Sequence, residues 1–101
     1  MRGVNFRAIG QEPAWLIEIV TEKHIYLSTD YGQHEKTYQY VKPTIDTNNR
    51  QSTYHYNVSD EFIMIIKEQP CRDIMSGIEF ETQVNITLNN RTLKGCGKIL
   101  M

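Results

Sequence analysis

The chain has 101 residues, 40% of them hydrophobic and 23% charged, with a formal net charge of -1. That length supports one domain with a modest core, and the balance is that of a folded globular chain rather than a disordered one. Near-neutral charge provides no broad basic face to displace counterions from phosphates, so nucleic acid is not an expected partner. No run approaches the ~20 apolar residues that a membrane-spanning helix needs.

The pattern along the chain is that of strands. Trp15, Ile17 and Ile19 alternate with Leu16, Glu18 and Val20, the period-two signature of a half-buried strand. After the polar turn Thr21-Glu22-Lys23, Ile25 to Ser28 forms a second strand, and residues 31–35 form a loop. Tyr38 and Tyr40 share one face of a third, and Pro43 with the run Asp46 to Asn49 breaks the pattern. Tyr54, Tyr56 and Val58 then alternate with Thr53, His55 and Asn57, and Phe62 to Ile66 is apolar on both faces, which predicts the most enclosed strand.

The clearest strand follows. Ile78, Phe80, Thr82, Val84, Ile86 and Leu88 lie on one side, with Glu79, Glu81, Gln83, Asn85 and Thr87 on the other. Asn89-Asn90 suits a tight hairpin turn, Thr92 to Lys94 begins the return, and the glycines flanking Cys96 mark a bulge or a close approach of two backbones. One short helical turn is expected over 72–77, with Asp73 and Ser76 capping local backbone groups. Seven or eight short strands predict a single all-β domain over residues 1–101: an antiparallel barrel or barrel-like sandwich. Closure is favoured because it removes exposed edges.

Cys71 and Cys96 stand at the two ends of one predicted hairpin. They read as a disulfide closing a loop of about 25 residues, worth on the order of 3 kcal/mol in the chain-entropy model. The alternative, two reduced thiols in a cytosolic protein, stays open. A bridge implies an oxidising compartment. Since Met1 to Asn5 lacks the apolar core of a signal peptide, the expectation is an exported chain whose leader precedes this sequence.

Two motifs resemble a known group. Phe6-Arg7-Ala8-Ile9-Gly10-Gln11-Glu12-Pro13-Ala14-Trp15, and Cys71-Arg72-Asp73-Ile74-Met75-Ser76-Gly77 with Gly95-Cys96-Gly97, are similar to the opening and close of a family of small bacterial cell-envelope domains. Those are lipoproteins and periplasmic proteins, often of unassigned function. More distantly, the chain resembles the membrane-bound c-type lysozyme inhibitors and the META/HslJ-like domains. The inhibitors enter the lysozyme cleft with a serine–glycine segment and a tyrosine-bearing loop; Ser76-Gly77 matches the first, and no segment matches the second. The resemblance implies a periplasmic or outer-membrane-attached location, with membrane attachment through a lipidated leader. It implies a non-catalytic binding or scaffolding role toward an unidentified protein or envelope component. The rival roles are inhibition of a lysozyme-like enzyme and carriage of a small apolar ligand inside the barrel.

The candidate binding residues each have a structural reading beside the functional one. Pro13 sets the entry to a strand, Trp15 plugs one end of the barrel, and Glu12 accepts hydrogen bonds or meets a ligand at the mouth. Asp73 satisfies loop amides, Met75 fills an irregular gap in the core, and Ser76-Gly77 belongs to a loop that is either framework or presented to a partner. Tyr38, Tyr40, Tyr54 and Tyr56 either line the barrel or form a binding surface with apolar faces and polar tips. His24, His34 and His55 lack the spacing of metal ligands, and Met64, Met75 and Met101 read as core residues, so no metal or cofactor is expected. No Gly-x-Ser-x-Gly occurs, and Glu79 and Glu81 point to the wet face of a strand, so no catalytic residues are assigned.

Overall fold

The computed structural model describes residues 3–11, 14–56 and 61–100. Among them are nine strands: β1 (Phe6–Gln11), β2 (Ala14–Val20), β3 (His24–Thr29), β4 (His34–Gln39), β5 (Thr44–Asp46), β6 (Gln51–Tyr56), β7 (Phe62–Arg72), β8 (Glu79–Leu88) and β9 (Arg91–Ile99). They form one sheet of order β4-β3-β2-β1-β9-β8-β7-β6-β5. Each ladder joins strands adjacent in sequence, except that β1 pairs antiparallel with β9 and so joins the two halves.

The sheet curls into a half-barrel, with β4 and β5 as its edges. The expected all-β antiparallel fold stands, but the sheet has nine strands rather than seven or eight and does not close into a barrel. Three elements carry the difference. β1 was marked by no long apolar run, yet Phe6 and Ala8 are buried while Arg7 and Ile9 are half-exposed. β5 has only three residues. β7 runs on through the polar segment Lys67–Gln69 and Pro70 to Arg72, its register against β8 shifting between Glu68 and Cys71. A proline donates no ladder hydrogen bond, and a bulge is where a strand tolerates one.

Alternation fills the concave side. Ile17 and Ile19 of β2, Ile25 and Leu27 of β3, Phe62 and Met64 of β7, and Val84 and Ile86 of β8 are each at most 2% exposed. Of the run expected to be enclosed on both faces, Phe62 and Met64 are buried, whereas Ile63, Ile65 and Ile66 are half-exposed. On the convex face Arg7 and Glu18, opposed in the β1–β2 register, pair at 2.7 Å.

The glycine expectation resolves as close approach. Trp15 is 4% exposed, and its indole N–H donates to the Lys94 carbonyl at 3.3 Å. A Cβ on Gly95 would stand 1.9 Å from the Ile9 carbonyl oxygen and 2.7 Å from Trp15, and one on Gly10 would stand 2.0 Å from the indole nitrogen. Only bare backbone lets the indole lie there.

At the open seam tyrosines take over from backbone pairing. Tyr38 on β4 meets Tyr56 on β6 with ring centroids 5.0 Å apart and stacks on Phe62 at 4.7 Å. Tyr40 meets Tyr54 edge-on at 6.2 Å. The Tyr56 hydroxyl donates to the Gln39 carbonyl. These contacts draw the two margins of the sheet together without a ladder.

Candidate functional site

Cys71 and Cys96 form a disulfide, S–S 2.00 Å and Cα–Cα 5.6 Å. Beyond the β7 bulge the hairpin turns back over β8 and β9. Gln69 donates to Gln83 at 3.1 Å, the bridge ties the returning strand to β9, and Gln11 at the end of β1 donates to Asp73 at 3.2 Å. The tip between β7 and β8, residues 73–78, is therefore held at three points.

The tip is organised around Asp73, which is 5% exposed. Its carboxylate accepts the Ser76 backbone N–H at 2.9 Å and the Ser76 hydroxyl at 2.8 Å. The Ser76 oxygen in turn accepts the Ile78 N–H at 3.2 Å. Across the base, the Asp73 N–H donates to the Ile78 carbonyl at 2.9 Å and the Gly77 N–H to the Asp73 carbonyl at 2.7 Å. Gly77 takes a φ of 75°, in the left-handed region that favours glycine. The segment is a turn rather than a helix, and Asp73 and Ser76 cap it as expected. The Ser76 hydroxyl bond, followed by the backbone and Gln11 bonds, lowers the Asp73 carboxyl below its usual range. Its lone pairs hold the loop in shape.

That frame presents apolar side chains. Ile74 is 81% exposed, Met75 71% and Ile78 58%. The expectation that Met75 fills the core is corrected: Met64 is the methionine in the core, fully buried, and Met101 lies outside the described residues. Ile78, expected on the dry side of its strand, is also corrected to an exposed position; Met75 stands in the loop that the functional alternative presents to a partner, and Ile74 was not singled out. The available signal was an apolar run interrupted by a cap and a glycine.

The other candidates fall elsewhere. Glu12 lies outside the described residues. Trp15 sits inside, against Gly10 and Gly95. Tyr38 and Tyr54 belong to the buried core cluster, with Tyr40 and Tyr56 packed against it. The structure thus brings Asp73, Ser76 and Gly77 together beside Cys71 and Cys96, and the four tyrosines together at the seam, but not the two groups with each other. Tyr31, 84% exposed, stands on the β3–β4 turn; Asp30 beside it donates its N–H to the Ala14 carbonyl at 3.1 Å. Tyr31 thus stands near Ala14 at the start of β2, while the 73–78 tip is bonded to Gln11 at the end of β1.

The described side chains pack the middle of the half-barrel, and a cleft of about 370 Å³ opens beside Phe6, Tyr54, Ile66 and Ile99. Among the described residues no group of three or more His, Cys, Asp or Glu assembles as a cation site, and no helix is long and apolar enough to cross a membrane. No family model, no curated protein and no solved structure matches the chain.

Proposed function

We propose that this protein is a non-catalytic binding domain of the bacterial envelope, exported, and that it engages a protein partner through residues 73–78. The observation that carries this reading is the contrast within that segment. Its backbone is fixed by a buried carboxylate and a disulfide, while Ile74, Met75 and Ile78 stand in solvent. A loop ordered in advance loses little entropy on binding, and exposed apolar side chains supply the gain. The bridge and the two end motifs support an oxidising location.

The test is a photoreactive residue at position 75 in the intact protein, cross-linked in cells, with the same residue at exposed Lys23 as control. A discrete adduct from 75 alone, lost on Ile74→Asp at unchanged melting temperature, is the expected result. Equal labelling from both positions refutes the assignment.

A second reading, inhibition of a lysozyme-like enzyme, draws on the exposure of Ser76 and Gly77 and of Tyr31. It expects purified protein at micromolar excess to slow cell-wall lysis by at least one of several lysozymes. Full activity throughout the set removes it.

A further inference from the structure

Residues 73–78 carry a second chemical property, distinct from their apolar contact area. Sulfur is the side-chain element that dissolved oxidants attack first, as thiol or as thioether. In this chain the thiols are already spent, because Cys71 and Cys96 bond each other. Thioethers remain. Of the four methionines, Met64 is fully buried, and Met1 and Met101 lie outside the described residues. Met75 is 71% exposed, next to Ile74 at 81%. Among the described residues it is therefore the one thioether that an oxidant in solution reaches.

The hydrogen bonds of the turn decide what an added oxygen does there. The N–H groups of Ser76, Gly77 and Ile78 already go to the Asp73 carboxylate, the Asp73 carbonyl and the Ser76 hydroxyl oxygen. A sulfoxide oxygen on Met75 finds none of these three donors free, so the turn keeps its shape and water meets the new acceptor. On contact with a partner that water has to leave, and an acceptor pressed onto an apolar surface without a donor is costly. The change thus falls on the surface of the tip and not on its fold. At Met64 the same oxygen would enter the hydrophobic core, and burial keeps the oxidant away from it.

We propose that Met75 is a site of reversible oxidation by peroxide, and that its sulfoxide releases the partner held by residues 73–78; the second half rests on the binding role proposed above. The thioether sulfur attacks one peroxide oxygen, the O–O bond breaks and an S–O bond forms. Sulfur gives up two electrons, and the other oxygen departs as hydroxide, takes the proton from the new S–OH group and leaves as water. Reversal draws two electrons from a thiol-dependent sulfoxide reductase: two thiols close to a disulfide and the oxygen leaves as water.

The test treats the full chain with graded hydrogen peroxide and reads oxygen uptake peptide by peptide by mass spectrometry. Met75 gains one oxygen about tenfold faster than Met64, at an unchanged melting temperature, and a thiol-dependent sulfoxide reductase removes it. In cells, a photoreactive residue at position 78, which leaves Met75 in place, gives an adduct that falls several-fold after peroxide. Met75→Leu, apolar and without sulfur, keeps its adduct through the same treatment. Equal oxidation of Met64, an unreacted Met75, or a melting temperature that drops with the Met75 oxygen overturns the modification site. An adduct unchanged by peroxide, or one lost equally from Met75→Leu, overturns the switch. If position 78 gives no adduct before peroxide, the binding role fails and the switch with it, while the peptide masses still decide the modification site.

Discussion

Asp73 is buried although residues 74–78 are exposed, and its bonds from Ser76 and Gln11 favour the ionised form. The sign of the pH effect follows. A carboxyl with a lowered folded-state pKa stabilises the fold above the unfolded value of about 4, and that contribution is lost as pH falls through the folded value. Amide exchange at Ser76 and Ile78 is expected to accelerate in that acidic window. Asp73→Asn keeps the shape and removes the charge; we expect a loss of about 1–2 kcal/mol in denaturant unfolding, with the acid-dependent step in exchange abolished. Persistence of that step in the variant would assign it to another group. Gly95 poses the opposite constraint. Its Cβ would meet backbone, not a flexible side chain, so Gly95→Ala should cost about 3 kcal/mol by overpacking. The same change at Gly32, where a Cβ meets nothing within 4 Å, is strained only by its positive φ and should cost about 1 kcal/mol.

Among the elements, the seam between β4 and β6 has the most distinctive energetics, because side chains hold it rather than a ladder. Burial first, and then the neighbouring Tyr40, raise the ionisation of Tyr54 well above its ordinary value; burial likewise leads for Tyr56. Above pH about 10 an unfolded tyrosine loses its proton while the folded one keeps it, so stability falls as pH rises beyond that point. We expect an alkaline unfolding step, seen by circular dichroism, that moves when Tyr54→Phe removes the ionisable group. Tyr56→Phe deletes the bond to the Gln39 carbonyl and should cost about 1 kcal/mol, with faster amide exchange confined to β4.

These elements also show what the residue pattern could convey. Strands β2, β3 and β8 alternate cleanly because one face of each is core and the other solvent, and period two survives translation into structure. By its residue pattern β7 ends at Ile66, because the continuation is polar and contains Pro70, features that normally end a strand; the bulge and the bridge carry it on to Arg72. Whether the tyrosines close the sheet or form a free surface is not encoded in their spacing. It depends on which strand lies across the gap, and that is a long-range fact. The 73–78 cap was readable from Asp73 and Ser76. The outward aim of Ile74 and Met75 was not, since apolar residues beside a cysteine ordinarily turn inward.

For the whole molecule the disulfide is the largest single contribution that chemistry can remove. It closes a loop of 25 residues, worth about 3–4 kcal/mol in the chain-entropy model, against a net stability of about 5–15 kcal/mol for a domain of ordinary size. Reduction should lower the melting temperature by roughly 15 °C. It should also release residues 73–78 from β9, so that cross-linking from position 75 weakens even at temperatures where the sheet survives. A melting point unmoved by reductant, with thiols shown to be free, would mean that the hairpin holds itself in place.

The pairing of β1 with β9 has an effect in time. The first four strands and the last five each form a run of neighbouring hairpins, and among the described residues the β1–β9 pairing is the one ladder that joins the two runs; β9 also carries the cysteine that the bridge requires. A ribosome delivers β9 last of the nine. Until then the nascent polypeptide holds two incomplete sheets with unshared margins, so the cooperative step waits for Arg91–Ile99, and a chain crossing a membrane as a thread would stay threadable until that strand arrived.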